Sequence, residues 1–147
     1  MPRSNEAHKA WARRRLREVL GDLRGRSVAV LGLSYKPGTD SLRRSVAVET
    51  CRWLREQGAA VTACDPVVRA LPPELAAIID LRPTAEAALR GASAALLATE
   101  WPEFASLRAD DVVQWMRETI VLDPGSFLAA ALGADARIRY FAVGRRA

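Results

Sequence analysis

Lysine is nearly absent from this chain. Of its 22 basic residues, twenty are arginine and two, Lys9 and Lys36, are lysine. Cysteine is as scarce: Cys51 and Cys64 are the two in 147 residues. Neither has a His or Cys nearby at metal-ligand spacing, so a zinc site is excluded, and both read as small buried hydrophobes. The one histidine, His8, lies in an Arg-rich helical start and reads as solvated, which leaves nothing resembling a catalytic triad. Long hydrophobic runs are missing too. The stretch 92–98 (ASAALLA) is far too short to span a bilayer, and the start, MPRSNEAHKAWARRR, has no apolar core of signal-peptide type. The expectation is a soluble cytoplasmic protein of one domain, with no membrane partner.

Much of the net charge of +5 comes from Arg13, Arg14, Arg15, Arg17, Arg24 and Arg26. Apart from Trp11, no aromatic residues interleave them as a base-stacking surface requires, so they read as a solvated helix face and not as a nucleic-acid surface. The same charge fits attraction of phosphate-bearing small ligands. Half of the residues are apolar, enough for a sizeable core, and there is no repeat or low-complexity segment.

The apolar pattern alternates strands and helices. Residues 5–24 read as a helix capped by Ser4 or Asn5, with Ala7, Trp11, Leu16, Val19, Leu20 and Leu23 inward and Gly25 ending it. A strand at 27–33 precedes a helix at 46–57, which Ser45 caps, Gly58 stops, and Ala47, Cys51 and Leu54 line on the inside. Strands follow at 60–64, 77–81, 93–99, 119–123 and 137–143. Between them lie a loop or short helix start at Pro72-Pro73 and helices at 84–90, from Pro102, at 109–118 (Val112, Val113 and Met116 inward) and at 126–132. The wholly apolar 93–99 suits a strand buried on both faces. This order predicts an α/β fold: a three-layer, Rossmann-like sandwich with a mostly parallel sheet of about six strands, preceded by an N-terminal helix.

An ordinary dinucleotide site would read G-x-G-x-x-G after the first strand. Here the turn reads Gly32-Leu33-Ser34-Tyr35-Lys36-Pro37-Gly38, without the second and third glycines, and it is too long. Asp65, at the end of the second strand, only imitates the acid that binds ribose, and it reads more simply as fixing the turn with Pro66.

The same loop, Gly32 to Asp40 followed by Arg43 and Ser45, resembles the C-terminal, UDP-sugar-binding domain of the UDP-glucose/GDP-mannose dehydrogenase family. Gly58, Val61 and Asp65-Pro66 continue the likeness, as do Thr99-Glu100-Trp101 with Glu103-Phe104, Val121-Leu122-Asp123 and Tyr140 to Gly144. Asn5-Glu6 and the helix behind them resemble the end of that family's central helix. The resemblance divides the chain into a helix at 1–25 and a nucleotide-sugar-binding α/β domain at 26–147. It implies NAD-dependent oxidation of a nucleotide sugar to the uronic acid, with NAD and the catalytic cysteine held by another domain. It further implies that Tyr35 and Lys36 contact the nucleotide sugar and that Arg43 reaches toward the cofactor. No metal and no catalytic residue in this chain are implied.

Other residues of these motifs read as structural. Thr39 and Asp40 shape the loop, Ser45 caps a helix, and Trp101 and Phe104 pack. Trp53 and Trp115 read as core or partner-facing. Gly125 departs from the family, which usually has an Arg there contacting the substrate, and its loss is worth about 1–3 kcal/mol of affinity. Ser41 and Arg44 also depart, where Asp and Glu are common. Three readings stay open: one half of a split or excised dehydrogenase acting with a separate catalytic chain, a stand-alone nucleotide-sugar-binding protein, and an interaction module derived from it. A homodimer is a further expectation, if Trp11 and its apolar neighbours on the first helix are exposed.

Overall fold

A computed structural model describes residues 2–33 and 45–143, with side chains from residue 7 onward. The elements run α1 (Pro2–Leu20), β1 (Ser27–Leu31), α2 (Val46–Glu56), β2 (Ala60–Cys64), α3 (Pro73–Ala76), β3 (Asp80–Leu81), α4 (Ala85–Leu89) and β4 (Ala94–Leu97). A 3-10 helix (Pro102–Ser106), α5 (Ala109–Trp115), β5 (Ile120–Leu122), a π-helical turn (Ala129–Gly133) and β6 (Arg139–Phe141) complete the order.

Among the described residues the strands form one six-stranded sheet in the order β3-β2-β1-β4-β5-β6, with every neighbouring pair parallel. Successive strand residues alternate between two cores. Val28, Val30, Ala94, Leu96, Ile120 and Leu122 face α1 and α2. Ala29, Leu31, Ala95, Leu97 and Val121 join Leu89, Val112 and Met116 of α4 and α5 and the residue after it. That alternation places helices on both faces and makes the predicted three layers. The free thiols are buried on opposite sides of the sheet, Cys51 in the first core and Cys64 in the second. Burial pushes each up to about 12, with Asp65 adding to the effect at Cys64, so neither is a nucleophile at neutral pH.

Most element types fall where the sequence puts them, and the differences have local causes. α1 stops at Leu20 and not at Gly25. Gly21, at φ 70°, turns the chain and donates its N–H to the Arg17 carbonyl oxygen at 2.9 Å, the left-handed exit that glycine allows. Leu23 still enters the core from beyond the helix. The segment after Pro102 winds as a 3-10 helix. The expected helix at 126–132 is a loop entering a π-turn.

On α1 the inward reading holds for Trp11 and fails for Ala7. Ala7 is exposed, while Trp11 is 8% exposed and packs in the first core with Leu16 and Leu20. Trp11 is therefore no exposed self-association surface. His8 is half-buried and not fully solvated. α1 is tied to α2 by Lys9–Glu49 at 2.8 Å and by Arg17 donating to Gln57 at 2.6 Å. The guanidiniums of Arg13 and Arg17 lie 5.3 and 5.6 Å from the centre of the half-buried Trp53 ring, stacking that favours a cation over an indole face.

Candidate functional site

In an open doubly wound sheet, ligands bind beyond the carboxyl ends of the strands where the strand order reverses. Here that point lies between β1 and β4. Gly32 leaves β1 at φ 94° and donates its N–H to the Cys64 carbonyl oxygen at 2.8 Å. A Cβ there would stand 2.6 Å from Thr99 Cβ and 2.9 Å from Thr99 N. Gly32 is thus required for the close approach of the β1 and β4 exits.

Asp65 fastens these exits together. Its buried carboxylate accepts from Leu33 N–H at 2.7 Å, Val67 N–H at 3.0 Å and Trp101 Nε1–H at 3.2 Å. One carboxylate thereby joins the loops after β1, β2 and β4. Its oxygens are engaged by these donors, so it does not stand ready for a ribose diol. The reading of Asp65 as a turn-fixing residue holds, and its reach to Leu33 and Trp101 goes further than the local sequence indicated. Trp101 and Phe104 are buried, as packing residues should be.

Ser45 closes the other end of the loop. Its hydroxyl oxygen accepts from Val48 N–H at 3.2 Å, capping α2, and the hydroxyl donates to the Leu33 carbonyl oxygen. Tyr35, Lys36 and Arg43, with Ser34, Thr39, Asp40, Ser41 and Arg44, lie outside the described residues. The structure describes their anchors, Leu33 and Ser45, on either side.

The β5 exit borders the same crevice. Asp123 is fully buried and accepts from Phe127 N–H at 3.1 Å, Leu128 N–H at 2.6 Å and the Tyr140 hydroxyl at 2.6 Å. Glu100 Oε2 lies 2.0 Å from where a Cβ at Gly125 would stand. The Glu100 carboxyl is raised above its ordinary range by burial and by repulsion from Asp123, which His8 only partly offsets. The sequence reading missed this carboxylate beside Gly125. Its signal was the Thr-Glu-Trp segment, whose Glu follows a central strand.

No group of three or more His, Cys, Asp or Glu suited to a metal ion occurs among the described residues. Nor do the described residues of the β1 exit fit a dinucleotide of their own: Gly32 is packed against Thr99, and Asp65 is engaged by three N–H donors.

Residues 29–130 match the profile of the UDP-glucose/GDP-mannose dehydrogenase family, UDP binding domain. The chain belongs to that family. Over 114 residues, or 78% of its length, this UDP-binding-domain chain is 45% identical to UDP-glucose 6-dehydrogenase AglM of Haloferax volcanii. It is 35% identical to UDP-glucose 6-dehydrogenase of Pseudomonas aeruginosa over 97% of its length. The match spans 26% of the first relative and 34% of the second. Among solved structures, a UDP-glucose dehydrogenase from Pyrobaculum islandicum superposes with a TM-score of 0.66 at 34% identity, covering 80% of this chain and 26% of that one. UDP-D-ManNAc dehydrogenase from Pyrococcus horikoshii shares the fold, with a TM-score of 0.72 at 24% identity over 96% of this chain and 31% of that one.

Proposed function

We propose that the chain, as a UDP binding domain, holds a UDP-sugar in the crevice between the β1 and β4 exits. There it contributes the substrate-holding half of an NAD-dependent oxidation of the sugar to its uronic acid. In this reading residues 1–25 are the helix leading into a nucleotide-sugar-binding domain at 26–147. Tyr35 and Lys36 contact the nucleotide sugar, and Arg43 reaches toward NAD carried by another domain or a separate chain. NAD supplies the hydride acceptor when bound. The residues of this chain bind and orient the sugar nucleotide, and none of them is assigned a proton or a covalent step.

The observation that carries this reading is the anchoring of the loop that bears those three residues. Leu33 and Ser45 are tied to each other, and Leu33 is tied to Asp65, so the loop leaves from and returns to the switch point. A compact ammonium suits the diphosphate of a sugar nucleotide, and a guanidinium suits a phosphate-bearing cofactor. Calorimetric titration with UDP-glucose, GDP-mannose and NAD separately tests it. Binding of UDP-glucose that disappears in Lys36→Ala supports the reading, and absence of heat with all three ligands overturns it.

One observation favours a second reading, a non-catalytic nucleotide-sugar-binding or interaction protein. Glu100 fills the space beside Gly125, where the family usually carries an Arg, so a carboxylate replaces a guanidinium at the β5 exit. Supplying the chain together with a catalytic domain of a relative separates the two: NADH formation from UDP-glucose supports the first, and tight UDP-glucose binding without turnover supports the second.

A further inference from the structure

A second cavity, of about 400 Å³, opens beyond the carboxyl ends of β2 and β3, to one side of the switch point. Its walls are mixed: Pro66 after the end of β2, Pro83 after β3, Val68 and Leu81 supply apolar surface, and Asp65, Arg69 and Arg82 supply charge. The last ladder contact is Arg82 N–H to the Ala63 carbonyl oxygen at 2.7 Å. Past it the two chains part, one turning about Asp65 through Val67 N–H and the other entering α4 behind the Thr84 cap. Two guanidiniums face this space, Arg69 and Arg82. Arg69 makes no ion pair among the described residues. Arg82 is held by Asp80, its Nε and one terminal nitrogen both donating to Oδ2 at 3.0 and 2.6 Å.

In a doubly wound sheet this is where the acid ending the second strand takes a ribose diol, and where an Arg takes a phosphate instead. Asp65 borders the cavity, but its carboxylate is engaged by Leu33, Val67 and Trp101. The polar groups left to a ligand are the Arg69 guanidinium, whose planar fork matches phosphate oxygens, and the terminal nitrogen of Arg82 that Asp80 does not hold. Four apolar residues on one side and guanidiniums on the other, in a space of this size, fit a ligand with a small ring and an anionic group. We propose that this cavity is a second ligand site, for a phosphate-bearing mononucleotide, separate from the crevice at β1 and β4. The ring lies against Pro66, Val68, Leu81 and Pro83, and the phosphate meets Arg69 and Arg82. Asp65 is the partition, bordering the cavity while bonding to Leu33 and Trp101 of the crevice.

The probe is 5′-AMP, titrated by calorimetry, with inorganic phosphate and adenosine as its separated parts. The expected result is one AMP per chain, bound at least tenfold tighter than either part. Arg69→Ala and the Arg69→Ala/Arg82→Ala pair should weaken AMP at least tenfold with the melting temperature retained, since both side chains are exposed. Saturating UDP-glucose should leave AMP affinity within twofold. No AMP binding at millimolar concentration, an unchanged affinity in the double variant, or displacement of AMP by UDP-glucose overturns the proposal. So does phosphate alone binding as tightly as AMP, which would leave an anion patch and no nucleotide site. The AMP readout does not use the crevice, so failure of UDP-glucose to bind is distinguishable from failure of this site.

Discussion

The Ser45 hydroxyl donates to the Leu33 carbonyl oxygen, so the residues on either side of segment 34–44 are bonded directly to each other. The same hydroxyl oxygen caps α2 through Val48 N–H. One short side chain thus sets the start of a helix and the mouth of the loop that carries Tyr35, Lys36 and Arg43. Bringing two positions twelve residues apart into contact has an entropic cost, and this bond helps to offset it.

Ser45→Ala therefore removes two bonds at a buried position. Loss of the cap alone destabilises by about 1 kcal/mol, and the orphaned Leu33 carbonyl adds about 1–2 kcal/mol. Urea denaturation should show a midpoint shift of that size. Calorimetry should show weaker UDP-glucose binding even under conditions where the variant is fully folded. An unchanged midpoint would show that water replaces both bonds.

Gly32→Ala should be costlier. The new Cβ meets Thr99 Cβ at 2.6 Å and requires φ 94° from a residue that avoids it. Backbone strain and overpacking together amount to about 2–4 kcal/mol. Gly91→Ala, at φ 74° with nothing within 4 Å of the new Cβ, isolates the backbone part. In thermal melts, the difference between the two variants reads the clash.

Glu100 gives a pH dependence of defined sign. Its folded-state carboxyl is raised above the ordinary 4.5 by burial, then by repulsion from Asp123. The folded chain therefore holds this proton to higher pH than the unfolded chain, and folding takes a proton up in the window just above 4.5. This group's contribution to stability falls as pH rises through that window and stays unfavourable at neutral pH. Asp135, lowered to about 2 mainly by its hydrogen bonds with Arg137, acts in the opposite sense below ordinary carboxylate values. Glu100→Gln leaves the Asp135 contribution in place. The melting temperature of Glu100→Gln should exceed that of the parent at pH 7, with the gap narrowing as pH falls toward 4. A gap independent of pH would remove the electrostatic explanation.

Gly125→Arg tests the polarity of the β5 exit. Gly125 does not adopt a left-handed φ, and the obstacle to a Cβ is the flexible end of Glu100. The arginine can enter by displacing that carboxylate and pairing with it. If UDP-glucose occupies the crevice, the added guanidinium should strengthen its binding by about 1–2 kcal/mol, roughly five- to thirtyfold. Calorimetry of the single variant and of Gly125→Arg/Glu100→Gln would separate the new cation from the lost carboxylate.

Much of the architecture was legible because short-range patterns carry it. The apolar run at 94–97 has the length of a strand buried on both faces, and Ser45 before Val46 signals a helix start. Boundaries were less legible. Gly21 and Gly25 both adopt positive φ, and a sequence does not reveal which glycine stops α1. The loop motif identified the family, which the match over 29–130 establishes. Its anchoring was only half visible: Ser45 as a cap is local, whereas its bond to Leu33 spans twelve positions.

By itself, then, the sequence determined the element types, the parallel α/β class and the family, because periodicity, caps and contiguous motifs are written within a few residues of one another. The tertiary structure decided which long-range partners each polar group takes. Asp65 became the tie between three strand exits, and Glu100 came to rest beside Gly125. Those outcomes depend on the strand order, which brings the ends of β1, β2, β4 and β5 to one edge of the sheet. Burial there obliges each polar group to find a donor or acceptor from another loop.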